Sequence, residues 1–115
     1  MNILVNLQSV TSGIAVVTLK GEMRQWHARF LQGMLATLTD GGVKRIVIDC
    51  AEATSLCQGV YGNIAEAMEQ CRRKGGDLRL AAVNHQILED LIAHEMVDDL
   101  VICSDRQTAV GTFTV

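Results

Sequence analysis

"KRIVIDCAEATSLCQGVYGN", residues 44–63, holds the transition on which the reading of the chain turns. Its first part, RIVIDC, is a short β-branched run of the kind expected of a central strand covered on both faces. Then the period changes. Val60, Ile64, Ala67, Met68 and Cys71 share one helical face, which predicts a helix over residues 58–74 stopped by Gly75-Gly76. Between strand and helix lies a corner with a thiol at Cys57, an amide at Gln58 and glycines at 59 and 62. Loops at the carboxyl ends of parallel strands gather on one rim, where ligands bind.

Upstream, NILVNLQS alternates apolar and polar residues, residues 10–13 turn the chain, and IAVVTL follows. These read as two antiparallel strands joined by a short loop. Trp26, Phe30, Met34 and Leu38 recur every four residues with Leu31 and Leu35 beside them, predicting an amphipathic helix with that stripe in the core. Asp40-Gly41-Gly42 ends it. Downstream, DLRLAAV is a strand, and Asn84 predicts the cap of a third helix buried through Ile87, Leu88, Leu91 and Ile92. LVIC is a last strand, and Ser104 with Gln107 has capping-box spacing at the start of a final helix. The order β-β-α-β-α-β-α-β-α predicts one α/β domain over residues 1–115. Its small mixed β-sheet begins with an antiparallel hairpin and continues in βα units, with helices packed against it.

Composition narrows the function. A chain of 115 residues, 49% of them hydrophobic, can bury one core. A net charge of −3 argues against nucleic-acid binding by phosphate neutralisation. The basic run CRRK, residues 71–74, fits the carbonyl end of a helix. No apolar run approaches the roughly 20 residues that span a bilayer. MNILVNLQ lacks the basic and long apolar segments of a signal peptide, so a cytoplasmic location without membrane insertion is expected.

Cys50, Cys57, Cys71 and Cys103 lie in apolar runs or at the corner without CxxC spacing, which predicts reduced thiols rather than disulfides or a zinc site. His27, His85 and His94 lack the i, i+4 spacing of paired ligands and read as isolated surface residues; no metal is expected. Trp26 and Phe30 fit a core stripe better than a base-stacking surface. No G-x-x-x-x-G-K-[ST], G-x-G-x-x-G or G-x-S-x-G motif occurs, and Glu66 and Glu69 have no nucleophile beside them. Neither a catalytic residue nor a cofactor is expected, and the chain is not read as an enzyme.

The segments VVTLKGEM, KRIVIDCAEATSL, GVYGNIAEAMEQCRRKGGDLRLAAV and LEDLIAHEMVDDLVICSDRQTAV, in this order and spacing, resemble a STAS domain, the fold of bacterial anti-sigma-factor antagonists. The resemblance implies a regulatory module that binds an anti-sigma factor or related serine kinase of histidine-kinase-like ATPase fold. Family members place Asp-Ser-Ser-Gly where, without gaps, this chain has Cys57-Gln58-Gly59-Val60. The serine phosphorylated by the partner kinase then falls on Gln58, or on Cys57 if one residue is deleted. Neither position is a serine. The acidic residue two places after the family's Gly-Glu corresponds to Arg24, and the glycine in the turn after the third helix corresponds to Glu95.

By this resemblance the partner surface comprises Arg24, Ser55, Leu56, Cys57, Gln58, Gly59, Tyr61 and Gly62. A phosphoserine would add about −1.5 to −2 charges at this corner. The neutral Gln58 amide instead resembles the unphosphorylated, partner-binding state, although a tolerated polar residue in a first helical turn would look the same. Thr54 and Ser55 are weaker alternative phosphate acceptors, since such hydroxyls commonly bond their own backbone. Tyr61 could face a partner or pack on its own domain. A thiol at a helix amino terminus favours thiolate, so a redox or small-ligand sensor using Cys57 stands against an ordinary buried cysteine. Some STAS-like proteins are accessory subunits of ABC-type lipid transporters, and this is the alternative role. The identity of the partner and homodimer formation are left open.

Overall fold

Runs rich in β-branched residues at 14–17 and 46–48 lie in two neighbouring interior strands of a five-stranded sheet, the second of them central. The computed structural model describes residues 6–11 and 13–113, with side chains from residue 13 onward. The elements are β1 (Asn6–Thr11), β2 (Ile14–Met23), α1 (Gln25–Asp40), β3 (Arg45–Leu56) and α2 (Gln58–Arg73). β4 (Asp77–Ala81), α3 (His85–Ala93), β5 (Val101–Cys103) and α4 (Arg106–Phe113) follow.

The sheet order is β1-β2-β3-β4-β5. β2 to β5 form a four-stranded parallel sheet, and β1 runs antiparallel along the outer edge of β2. Residues 2–5 of the expected first strand lie outside the described residues. Val10 and Thr11, expected in a turn, instead extend β1 and pair with Ala15 and Ile14. Gly13, at φ 76°, takes the left-handed conformation that lets the chain reverse there.

Side chains alternate across the sheet with a period of two. Ala15, Val17, Leu19, Ile46, Ile48, Leu78 and Leu80 pack into the main core with Leu31 of α1, Ile64 of α2 and Leu91 of α3. Each valine, leucine or isoleucine among them contributes about 1.5–3 kcal/mol on burial. Ile14, Val16, Val47 and Ala81 point the other way, under Ala109, Val110 and Phe113 of α4. Three crossover helices thus cover one face, and one short helix covers part of the other.

Two helices turn differently from the sequence expectation. In α1 the buried residues are His27, Ala28, Leu31, Leu35 and Thr39, whereas Trp26 and Phe30 are 56% and 58% exposed. Steps of four residues overshoot a full turn by about 40° each, so the stripe from Trp26 drifts from solvent to the half-buried Met34 and Leu38. In α3, Ile87 and Leu91 are buried while Ile92 is exposed. Asn84 caps α3 by accepting the Ile87 N–H at 2.8 Å. For α4 the cap is Asp105, whose Oδ1 accepts the Thr108 N–H at 2.7 Å. The expected Ser104–Gln107 box is displaced because a carboxylate one residue later is the stronger acceptor at a helix amino terminus.

The ends of α1, α2 and α3 share one solution. In each, a residue in the left-handed region closes the helix with paired bonds back to the last turn: Gly42 and Val43, Gly75 and Gly76, Glu95 and Met96. The left-handed residue is glycine twice and Glu95, at φ 58°, the third time. Beyond Gly75 the chain touches the residue before β3: a Cβ on Gly76 would lie 1.7 Å from the Lys44 carbonyl oxygen. Gly76→Ala is therefore expected to cost about 3 kcal/mol or more. Glu95→Gly, by relieving left-handed strain, is expected to be neutral or to stabilise by about 1 kcal/mol. Urea unfolding of both variants checks this contrast.

Candidate functional site: the rim at the ends of β2 and β3

The candidate corner is fixed by the pairing of two strands. β2 and β3 run together to their last residues, with Glu22 beside Ser55 and Met23 beside Leu56. The Cys57 N–H then donates to the Met23 carbonyl at 2.9 Å. One residue further on, Arg24 and Cys57 are the N-caps of α1 and α2. Two helix amino termini therefore open side by side on one rim. They are clamped by Asn63, whose amide donates to the Ala28 carbonyl at 2.6 Å, and by the approach of Gly59 to Ala28.

Neither helix has an acidic residue in its first turn, and Cys57 makes no side-chain cap bond. In α1 the reach-back partner is a histidine: the Arg24 N–H donates to His27 Nδ1 at 2.7 Å. His27 is buried, not on the surface as its isolation in sequence suggested, because the third residue of α1 points inward. Burial pushes its pKa below the ordinary 6.5. With Nδ1 accepting, the ring is neutral with its proton on Nε2, which has no protein partner among the described residues.

The remaining site residues separate into surface and core. Gln58, Gly59 and Gly62 are exposed, and Ser55 and Cys57 are half-buried. Leu56 is buried and cannot reach a partner. Tyr61 is buried too: its hydroxyl donates to Asp90 of α3 at 2.8 Å and its ring stacks on His94 at 4.9 Å. Burial raises the Tyr61 pKa well above that of a free phenol. Leu56 and Tyr61 are therefore corrected from contact residues to supports of the rim. Thr54 and Ser55, expected in a loop, lie in β3, which stays in the ladder to Leu56. A Cβ on Gly59 would meet Ala28 at 3.1 Å, so this glycine serves helix packing, whereas Gly62 is open to solvent.

Two of the residues that periodicity assigned to the core, Trp26 and Phe30, belong to the surface. Trp26 and Phe30 stand one turn apart on α1, beside Arg24 and Arg29. Arg24 reaches Glu22 at 3.5 Å. The available signal was the arginine between the two aromatics, which places a charge on their side of the helix. No group of three or more potential metal ligands occurs among the described residues, and no described helix is long and apolar enough to cross a membrane.

A family model described as the STAS domain matches residues 8–109. The chain belongs to the STAS domain family. No curated protein matches it in sequence. Among solved structures, an anti-sigma factor antagonist from Mycobacterium paratuberculosis superposes with TM-score 0.84 at 15% identity, covering 96% of this chain and 93% of that one. The unphosphorylated anti-sigma factor antagonist SpoIIAA, from Bacillus, gives 0.78 at 15% identity, with 95% and 96% covered. A sulfate transporter family protein from Wolinella succinogenes gives 0.76 at 17% identity, with 91% and 88% covered. At these identities the likeness is one of fold.

In this STAS domain the thiols divide by depth. Burial pushes Cys50 up to about 12 and Cys71 up to about 11, while Cys57 and Cys103 are half-buried. Labelling of the folded protein at neutral pH is expected at Cys57 and Cys103, with Cys50 and Cys71 reacting only on unfolding; mass spectrometry of labelled peptides reads this out. A Cys57 that resists label would remove the redox reading.

The neutral His27 gives a pH dependence of known sign. Its folded pKa is lowered, so stability is full above pH 6.5 and declines below it, where the unfolded chain takes a proton that the buried ring refuses. Thermal midpoints measured from about pH 7.5 down to about pH 5 are expected to fall more for wild type than for His27→Gln, which keeps an acceptor at the same helical position.

Proposed function

We propose that this STAS domain is a non-catalytic regulatory module that docks on a protein partner through the rim formed by Arg24, Ser55, Cys57, Gln58, Gly59 and Gly62, extended by Trp26 and Phe30. The observation that carries the reading is the exposed aromatic pair beside two adjacent helix amino termini. Trp, aromatic side chains and Arg are the residues that most often anchor protein interfaces. A rim of amide, thiol and glycine offers recognition but no nucleophile paired with a base, which supports binding over catalysis.

The family resemblance supports, as the partner, an anti-sigma factor or serine kinase with a histidine-kinase-like ATPase fold, met in the cytoplasm. SpoIIAA is known in phosphorylated and unphosphorylated forms. Here Gln58 is the first residue of α2, at the position that the ungapped resemblance gives to the phosphorylated serine. A phosphate there would lie against the free N–H groups of the helix. The amide carries no charge and holds the rim in one state, so this module binds without a phosphoserine switch. A second reading, an accessory subunit of a transporter, is supported by the fold likeness to the sulfate transporter family protein.

Affinity capture from native cytoplasm with wild type, Gln58→Asp and Trp26→Ala distinguishes these readings. A kinase-like ATPase held by wild type and weakened at least tenfold, about 1.4 kcal/mol, by either substitution is the expected result. A transporter ATPase, or partners indifferent to both substitutions, overturns the sigma-factor assignment. Incubation with the captured kinase and ATP is expected to leave the mass unchanged; a gain of one phosphate would relocate the switch to Thr54, Ser55 or another hydroxyl.

A further inference from the structure

The sheet face opposite the three crossover helices is only partly covered. α4 spans about 12 Å and shields Ile14, Val16, Val47 and Ala81. Further along the same strands Thr18 and Asp49 are paired across β2 and β3, each only 6% exposed. They line a cleft of about 540 Å³, on the side where β4 and β5 end, walled by Lys20, Glu52, Ala82 and the start of α4 at Arg106. This volume is that of a small-molecule site, and the carboxyl ends of parallel strands are where such sites form.

Two features mark the cleft as more than a gap. The Thr18 hydroxyl is buried and has no hydrogen-bond partner among the described residues. Valine would fill the same space in a strand without that cost, so threonine here sacrifices stability for a polar group. Among the described residues, Asp49 Oδ1 accepts the Ala51 N–H at 3.0 Å, and its Oδ2 faces Arg106 Nη1 at 3.9 Å, beyond hydrogen-bond length.

The charges favour a cation. Lys20 is paired with Glu52 at 3.2 Å. The first-turn Thr108 N–H of α4 is bonded to Asp105, whose charge also opposes an anion at this helix end. Among the described residues three carboxylates therefore face two cations, and the most buried ionic group of the five is Asp49. We infer that this cleft binds a small organic cation, a primary amine or guanidinium compound, whose donors reach Asp49 Oδ2 and Thr18 Oγ1. The long Asp49–Arg106 pair yields to the better-placed cation. This site lies on the opposite face of the sheet from α1 and α2 and is independent of the docking rim.

The test is isothermal titration of the full chain at low ionic strength with agmatine and putrescine, and with phosphate and adenosine monophosphate as anionic comparators. Saturable binding of agmatine or putrescine is expected, weakened at least tenfold by Thr18→Val and Asp49→Asn and unchanged by Gln58→Asp. Thr18→Val is also expected to raise the thermal midpoint of the free protein, and Thr18→Ser to retain binding. If Asp49→Asn does not fold, the Val and Ser variants at position 18 decide. The inference is overturned if wild type binds neither cation saturably, if Thr18→Val binds as wild type does, or if phosphate or adenosine monophosphate binds in their place.

Discussion

The parallel ladder between β2 and β3 is the constraint on which both ends of this molecule depend. These strands are the longest in the sheet, and they outrun β4 and β5, which stop at Ala81 and Cys103. Because they stay paired to Met23 and Leu56, the two helices that follow begin as neighbours, and Arg24 and Cys57 share a rim. Because their neighbours stop early, the far half of the opposite face is left as an open cleft over Thr18 and Asp49. Shortening either strand would abolish both arrangements together.

Electrostatics give the rim its character. Two helix dipoles converge there, yet the groups at their mouths are an arginine, a buried neutral histidine, a thiol and an amide. A carboxylate in either first turn would have stabilised its helix and offset the positive potential. Its absence leaves the positive ends of both helices without a carboxylate in their own first turns, and the exposed aromatic pair of α1 lies beside them. The opposite face is organised the other way, with carboxylates in excess and Asp105 closing its helix end.

The elements were legible in the sequence because glycines and period changes bound them. Gly41-Gly42 and Gly75-Gly76 end helices where they were read to end them, and Asn84 caps α3. What misled was orientation within an element. The ladder from Trp26 to Leu38 is apolar throughout, yet a helix turns such a ladder steadily relative to the core, and the sheet selects the neighbouring row from His27 to Thr39. Tyr61 and Leu56 sit among surface residues of the corner but face inward, Tyr61 towards Asp90 and His94 some thirty residues later. The Thr18–Asp49 cleft carries no local signature at all, since it is assembled from β2, β3 and α4 by the register of the sheet.

α4 is held by a small apolar cluster separate from the main core, with Phe113 lying under the Arg79 guanidinium at 4.1 Å. A segment held by few buried apolar contacts can open at a fraction of the global unfolding free energy. Loosening it would bare Val47 and remove Arg106 from the cleft while the rim, built on α1 and α2, stayed intact. Opening of α4 would therefore alter one face of the sheet and leave the helix-covered face as it is.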